Sequence, residues 1–205
     1  MKINKRIIWI TQSALFLGLV IAVQAATTGF GIQLITGSLV NLTLILCVML
    51  CGYAQGLTAA ALSPLFAKLL SIGPTWELIP FISFANVIIV TVWFFIGNLG
   101  DKCNKWGRGD SLYATNAPRP HLLHLLRTAF HIAALVAGAA AKFLFLYFSI
   151  VRIMIPYVLT GLPEKKANAL SATFSVTQLF TALIGGGLAV ILIPLIKKAI
   201  KTQRT

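Results

Sequence analysis

The chain is a succession of long apolar runs, each interrupted by one or two polar residues and separated by short polar or proline- and glycine-bearing segments. The pattern predicts six helices, at about 7–27, 35–53, 57–71, 81–97, 128–151 and 171–196. Strict alternation is lacking, which favours helices over strands. Several runs reach the ~20 apolar residues that span a bilayer, where only helices or closed barrels satisfy the backbone. The third run is short, and Pro64 is expected to kink it. Turns are expected at 52–56, at 72–80 with Gly73, Pro74 and Pro80, and at 161–163. The longest polar stretch, 98–127, reads as a loop, as does 152–170.

Composition sharpens this into a class. Of 205 residues, 58% are hydrophobic and 10% charged, against about 25% charged in ordinary soluble domains. The chain reads as one all-α, polytopic membrane domain. The net charge of +13 does not read as a nucleic-acid surface, because no basic stripe is interleaved with aromatics. Twelve of the seventeen basic residues fall at the termini, in 98–127 or beside it. The positive-inside rule then places both termini in the cytoplasm. Val23-Gln24-Ala25 leaves a cleaved signal peptide as an alternative for the first run. A retained helix is favoured, because the run is long and Ala14, Gly18, Ala22 and Ala26 recur every fourth position, a face that another helix can approach closely.

The candidate chemistry lies in the interrupting residues. With that topology, Gln24, Asn41, Lys68, Asn86, Lys142 and Gln178 all fall in the outer half of the bilayer. Random packing polars would scatter in depth, so the shared depth predicts one outward-facing pocket for a small solute. An intramembrane lysine costs on the order of 3 kcal/mol on insertion scales and is tolerated where it faces a cavity or a partner. Lys68 can instead snorkel to the outer headgroups. Lys142 is deeper, and an uncompensated cation there favours a carboxylate on the solute. Trp76 reads as an interfacial anchor or as a lid over a ligand. The amides have interhelical hydrogen bonding as their plain alternative. Gly185-Gly186-Gly187 permits close packing or bending.

An enzyme is not expected. The chain has four acidic residues, none in a helix core. His121 and His124 are spaced for a metal, but no acid or Cys partner accompanies them or His131. Cys47, Cys51 and Cys103 form no CxxC and read as small apolar residues. No GxxxxGK[ST] occurs, so the chain has no phosphate loop with which to hydrolyse ATP. No cofactor or metal is expected.

The pattern resembles a known family on residues spread across most of the chain. These are the Ala14-x-x-x-Gly18-x-x-x-Ala22-x-x-x-Ala26 ridge, the opening Ile35-Thr36-Gly37-Ser38-Leu39-Val40-Asn41, Pro80-Phe81-Ile82 through Asn86, and Gln178 followed by Ile184-Gly185-Gly186-Gly187-Leu188-Ala189. Together they are similar to the substrate-binding S components of energy-coupling factor (ECF) vitamin transporters. The resemblance implies a non-enzymatic subunit, in the cell membrane of a bacterium, that captures a vitamin or precursor. It also implies a transmembrane scaffold subunit and two ATPase subunits as partners, the scaffold contacting an AxxxA motif on helix one. Here Ala22 and Ala26 match that motif literally, and Ala14 and Gly18 extend the ridge. Loop 98–127 is longer than the family leads one to expect. The lysines tilt the solute toward a carboxylated vitamin, pantothenate- or nicotinate-like; a corrinoid or modified-base precursor stays open. The competing reading is a self-contained carrier or channel.

Overall fold

The computed structural model describes residues 5–29, 31–73, 75–106, 120–159 and 163–202, and every regular element among them is helical. α1 (Lys5–Thr28) buries a stripe at seven-residue spacing, Ser13, Val20 and Thr27, against α2 (Gln33–Leu50) and α3 (Tyr53–Leu69). Its Ala14, Gly18, Ala22 and Ala26 are all exposed, and nothing lies within 4 Å of a Cβ built on Gly18. The ridge is therefore not used in packing among the described residues.

α2 is the hub. Nine of its eighteen residues are buried, because α1, α3, α4 and α8 all pack on it. The connection to α3 is tight: Gly52 has φ +125°, which L side chains rarely adopt. A Cβ on Gly56 would lie 2.6 Å from Val48 Cβ, so the two helices approach at that point. α3 starts at Tyr53 rather than 57, because residues 53–56 form its first turn.

α4 (Ile79–Val92) follows a short 3₁₀ turn, Trp76–Leu78, and runs through a π-helical turn, Trp93–Gly97, into α5 (Asn98–Trp106). α6 (Pro120–Leu146) continues as a π-helical stretch, Tyr147–Val158. α7 (Glu164–Phe174) and α8 (Val176–Thr202) complete the chain. Much of the expected loops 98–127 and 152–170 is thus helical. The polar residues there sit on helix ends, and Pro163 accepts from the amides of Lys166 and Ala167 at 2.8 and 3.1 Å, opening α7. The expected sixth helix is broken at Ser175, where Ser175 Oγ and Thr177 Oγ1 both donate to the Ala172 carbonyl. Residues 161–162 of the expected turn, 107–119 of the long loop, and the side chains of Cys103, His121 and His124 lie outside the described residues.

Among the described residues, five stretches are long and apolar enough to cross a membrane: Arg6–Thr28, Gln33–Leu50, Trp76–Lys102, Leu125–Val158 and Glu164–Thr202. α3, with 17 residues, is about 26 Å long and is not among them. Large apolar side chains such as Leu15, Phe84, Phe95, Phe148 and Ile191 point outward, as a lipid-facing surface requires. Two apolar cores form, one around Leu44, Ile45, Ile89 and Trp93, the other around Leu78, Leu146, Ile150 and Phe174.

Candidate functional site

A cavity of about 330 Å³ opens where the C-terminal ends of α1 and α3 meet the N-terminal ends of α2 and α4. That is the small end of the ~300–1,000 Å³ range of ligand pockets. Val40 from the first core and Ile82 and Phe174 from the second line it. Its polar lining includes Gln24, Thr27, Gln33, Thr36, Asn86, Lys142 and Gln178.

Lys142 lies on α6 after a run of small residues, Ala137 to Ala141. These bring α6 close to α4: a Cβ on Gly138 would be 3.3 Å from Trp93 and 3.4 Å from Ile89. From there the lysine side chain reaches two other helices. Its Nζ donates to Asn41 Oδ1 on α2 at 2.6 Å and to Asn86 Oδ1 on α4 at 2.8 Å. Lys142 is 4% exposed, Asn41 1% and Asn86 2%, so the ammonium is held in the interior by amide carbonyls. No acidic side chain among the described residues faces it.

The polarity of this network follows from chemistry. An ammonium only donates, so both amides must turn their oxygens toward it. Asn41 Nδ2 then donates to Thr181 Oγ1 at 3.4 Å, and Thr181 passes its own hydrogen to the Gln178 carbonyl at 3.0 Å. The chain of bonds joins α6, α2 and α8. The α2–α8 contact that allows it depends on two glycines. A Cβ on Gly37 would sit 2.7 Å from Thr181 Cγ2, and one on Gly185 would strike the Ser38 carbonyl and lie 2.9 Å from Asn41 Cβ.

The structure therefore brings Gln24, Asn86, Lys142 and Gln178 to one cavity, with Asn41 hydrogen-bonded to Lys142 but not itself in the lining. It does not bring Lys68 or Trp76 there. Lys68 is in the last turn of α3, half-buried. Trp76 is 53% exposed, and neither residue lines the cavity. Gln24 Oε1 is buried without a partner among the described residues. Sequence reasoning missed Thr181, although Gln178, Thr181, Ala182, Gly185 and Ala189 are all buried on α8 at helical spacing. It also missed Thr27, Thr36 and Phe174, which differ in no sequence signal from other residues of their runs.

At the other end of the bundle, Asp101 of α5 is clasped by Arg127 Nε of α6 at 2.7 Å and by Lys197 Nζ of α8 at 2.6 Å. His131 is buried one helical turn beyond Arg127, its ring 6.2 Å from that of Trp93. No cluster of three or more metal-ligating side chains occurs among the described residues. No family model, curated protein or solved structure shows significant similarity to the chain.

Proposed function

We propose that this protein is the solute-binding membrane subunit of an ECF-type importer, taking a small carboxylate-bearing vitamin or precursor into the cavity beside Lys142. The observation that carries the reading is a buried ammonium at the wall of an open cavity, held by two neutral amides, with no acid beside it among the described residues. Burying a charge without a counter-charge is costly, and an anionic solute supplies the missing partner. The mixed lining, apolar with a few convergent polar groups, suits a small organic molecule. In this reading the protein does no chemistry on its solute. It lies in a cell membrane with six crossings, both termini cytoplasmic and the cavity facing out. The exposed small-residue face of α1, Ala14 through Ala26, is where a scaffold subunit bearing two ATPases docks.

The test is native mass spectrometry on tagged protein, gently solubilised from its own host. A bound mass of a few hundred daltons carrying a carboxylate, together with scaffold and ATPase subunits, is the expected result. A bare chain that drives solute flux when reconstituted alone would replace the reading with a self-contained carrier.

A further inference from the structure

The hydrogen bonds around Lys142 specify more than a positive charge. An ammonium has three donors. Two are spent on Asn41 and Asn86, and no third acceptor among the described residues takes the last. Lys142 lines the cavity, so one donor is left for one acceptor atom of the solute. The carboxamide of Asn86 also lines the cavity. Its Oδ1 is on Nζ, which leaves its Nδ2, on the same planar group, as the neighbouring donor. That atom has no partner among the described residues and is not sealed away from space. Asn41 differs: it does not line the cavity, and its Nδ2 is committed to Thr181.

We infer that the solute presents a single planar carboxylate held at two points, one oxygen on Lys142 Nζ and the other on Asn86 Nδ2, and that the site rejects phosphate monoesters. Two adjacent donors match two oxygens on one carbon, as in other two-point carboxylate pairs. The rejection follows from charge. Among the described residues Lys142 is the one charged side chain in the lining, and Gln24, Gln33, Thr36, Asn86 and Gln178 are neutral. A monoanion closes the account at zero, whereas a phosphate monoester brings about −1.5 to −2 and buries uncompensated charge. Asn41 is a positioning residue, which orients the ammonium through its Oδ1 and is itself oriented by Thr181. This inference rests on the solute-binding reading above and adds the anion's shape, its charge and its second contact.

The experiment uses the full chain in lipid nanodiscs with lysine labelled with ¹³C at Cε, the Lys142 resonance being assigned by its loss in Lys142→Met. The probes are acetate, acetamide and methyl phosphate. Acetate is expected to shift the Lys142 signal saturably, while acetamide and methyl phosphate leave it unmoved at the same concentration. Asn86→Leu and Asn41→Leu each delete one acceptor from the ammonium, but only the first deletes the second donor. Acetate is expected to bind Asn86→Leu at least tenfold more weakly than Asn41→Leu. If either leucine variant does not fold, Asn86→Gln and Asn41→Gln replace the pair, with the displaced amide at 86 expected to be the more damaging. Equal losses at the two positions would overturn the two-point contact, and saturation by methyl phosphate would overturn the charge rule. Absence of any acetate response in the native protein overturns the inference as a whole. The solute-binding reading falls with it only if the native protein, purified from the host, carries no small molecule by mass spectrometry.

Discussion

Replacing Lys142 with methionine separates a binding role from a structural one. The substitution keeps most of the side chain's volume and removes the ammonium. On the stability side, it leaves Asn41 Oδ1 and Asn86 Oδ1 without their donor, in side chains that are 1% and 2% exposed. Each orphaned carbonyl costs about 1–3 kcal/mol. Against this stands the relief of no longer holding a charge in the membrane interior, on the order of 3 kcal/mol. The two largely offset, so the folded protein is expected to persist, with stability lowered by no more than ~3 kcal/mol. On the binding side nothing offsets the loss. A hydrogen bond from a charged donor contributes ~1.5–3 kcal/mol, and ~1.4 kcal/mol is a factor of ten. Solute affinity should therefore fall about ten- to a hundredfold. The assay is solute retained per protein by mass spectrometry, with the thermal transition in the same detergent as the folding control. A folded Lys142→Met protein that keeps its solute within twofold of the native amount would refute the argument.

Three further outcomes follow from the same geometry. Gly185→Ala would put a Cβ 2.9 Å from Asn41 Cβ and against the Ser38 carbonyl; overpacking of this kind costs ~1–3 kcal/mol, and both a lowered thermal transition and loss of solute are expected, whereas Gly187→Ala, with nothing within 4 Å, should be silent in both measurements. Asp101→Asn weakens the clasp to Arg127 and Lys197, partly exposed contacts contributing on the order of 1 kcal/mol, so the thermal transition should fall slightly in low salt, less in high salt, with solute binding unchanged. Lys68→Ala and Trp76→Ala should leave solute retention within twofold, since neither residue lines the cavity, and a larger loss at either would show that the binding conformation closes over them.

How far the site was legible in the sequence depends on what each residue leaves undetermined. The helical class follows from long apolar runs and scarce charge, because lipid allows so few ways to satisfy a backbone. Helix boundaries were less legible. Polar residues at 152–170 suggest a loop, yet polar residues on a helix end at an interface are equally satisfied, and Pro163 opens α7 rather than ending a turn. The two lysines show the limit most sharply. Both read as cations in the outer half of the bilayer, Lys142 the deeper, and depth alone does not say where a four-carbon stem points. Lys68 stands half-buried in the last turn of α3, where its stem can carry the charge past the helix end. Lys142 stands well inside α6, and its charge must be met within the bundle. The sequence thus states the requirement, a partner for a buried cation, without naming it. The fold meets two-thirds of it with Asn41 of α2 and Asn86 of α4, which Lys142 reaches from the close approach of α6 at Gly138. No described residue takes the remaining donor, and Lys142 lines the cavity. That incompleteness is the argument for a ligand: a purely structural lysine at this depth would have been given its last acceptor by the chain itself.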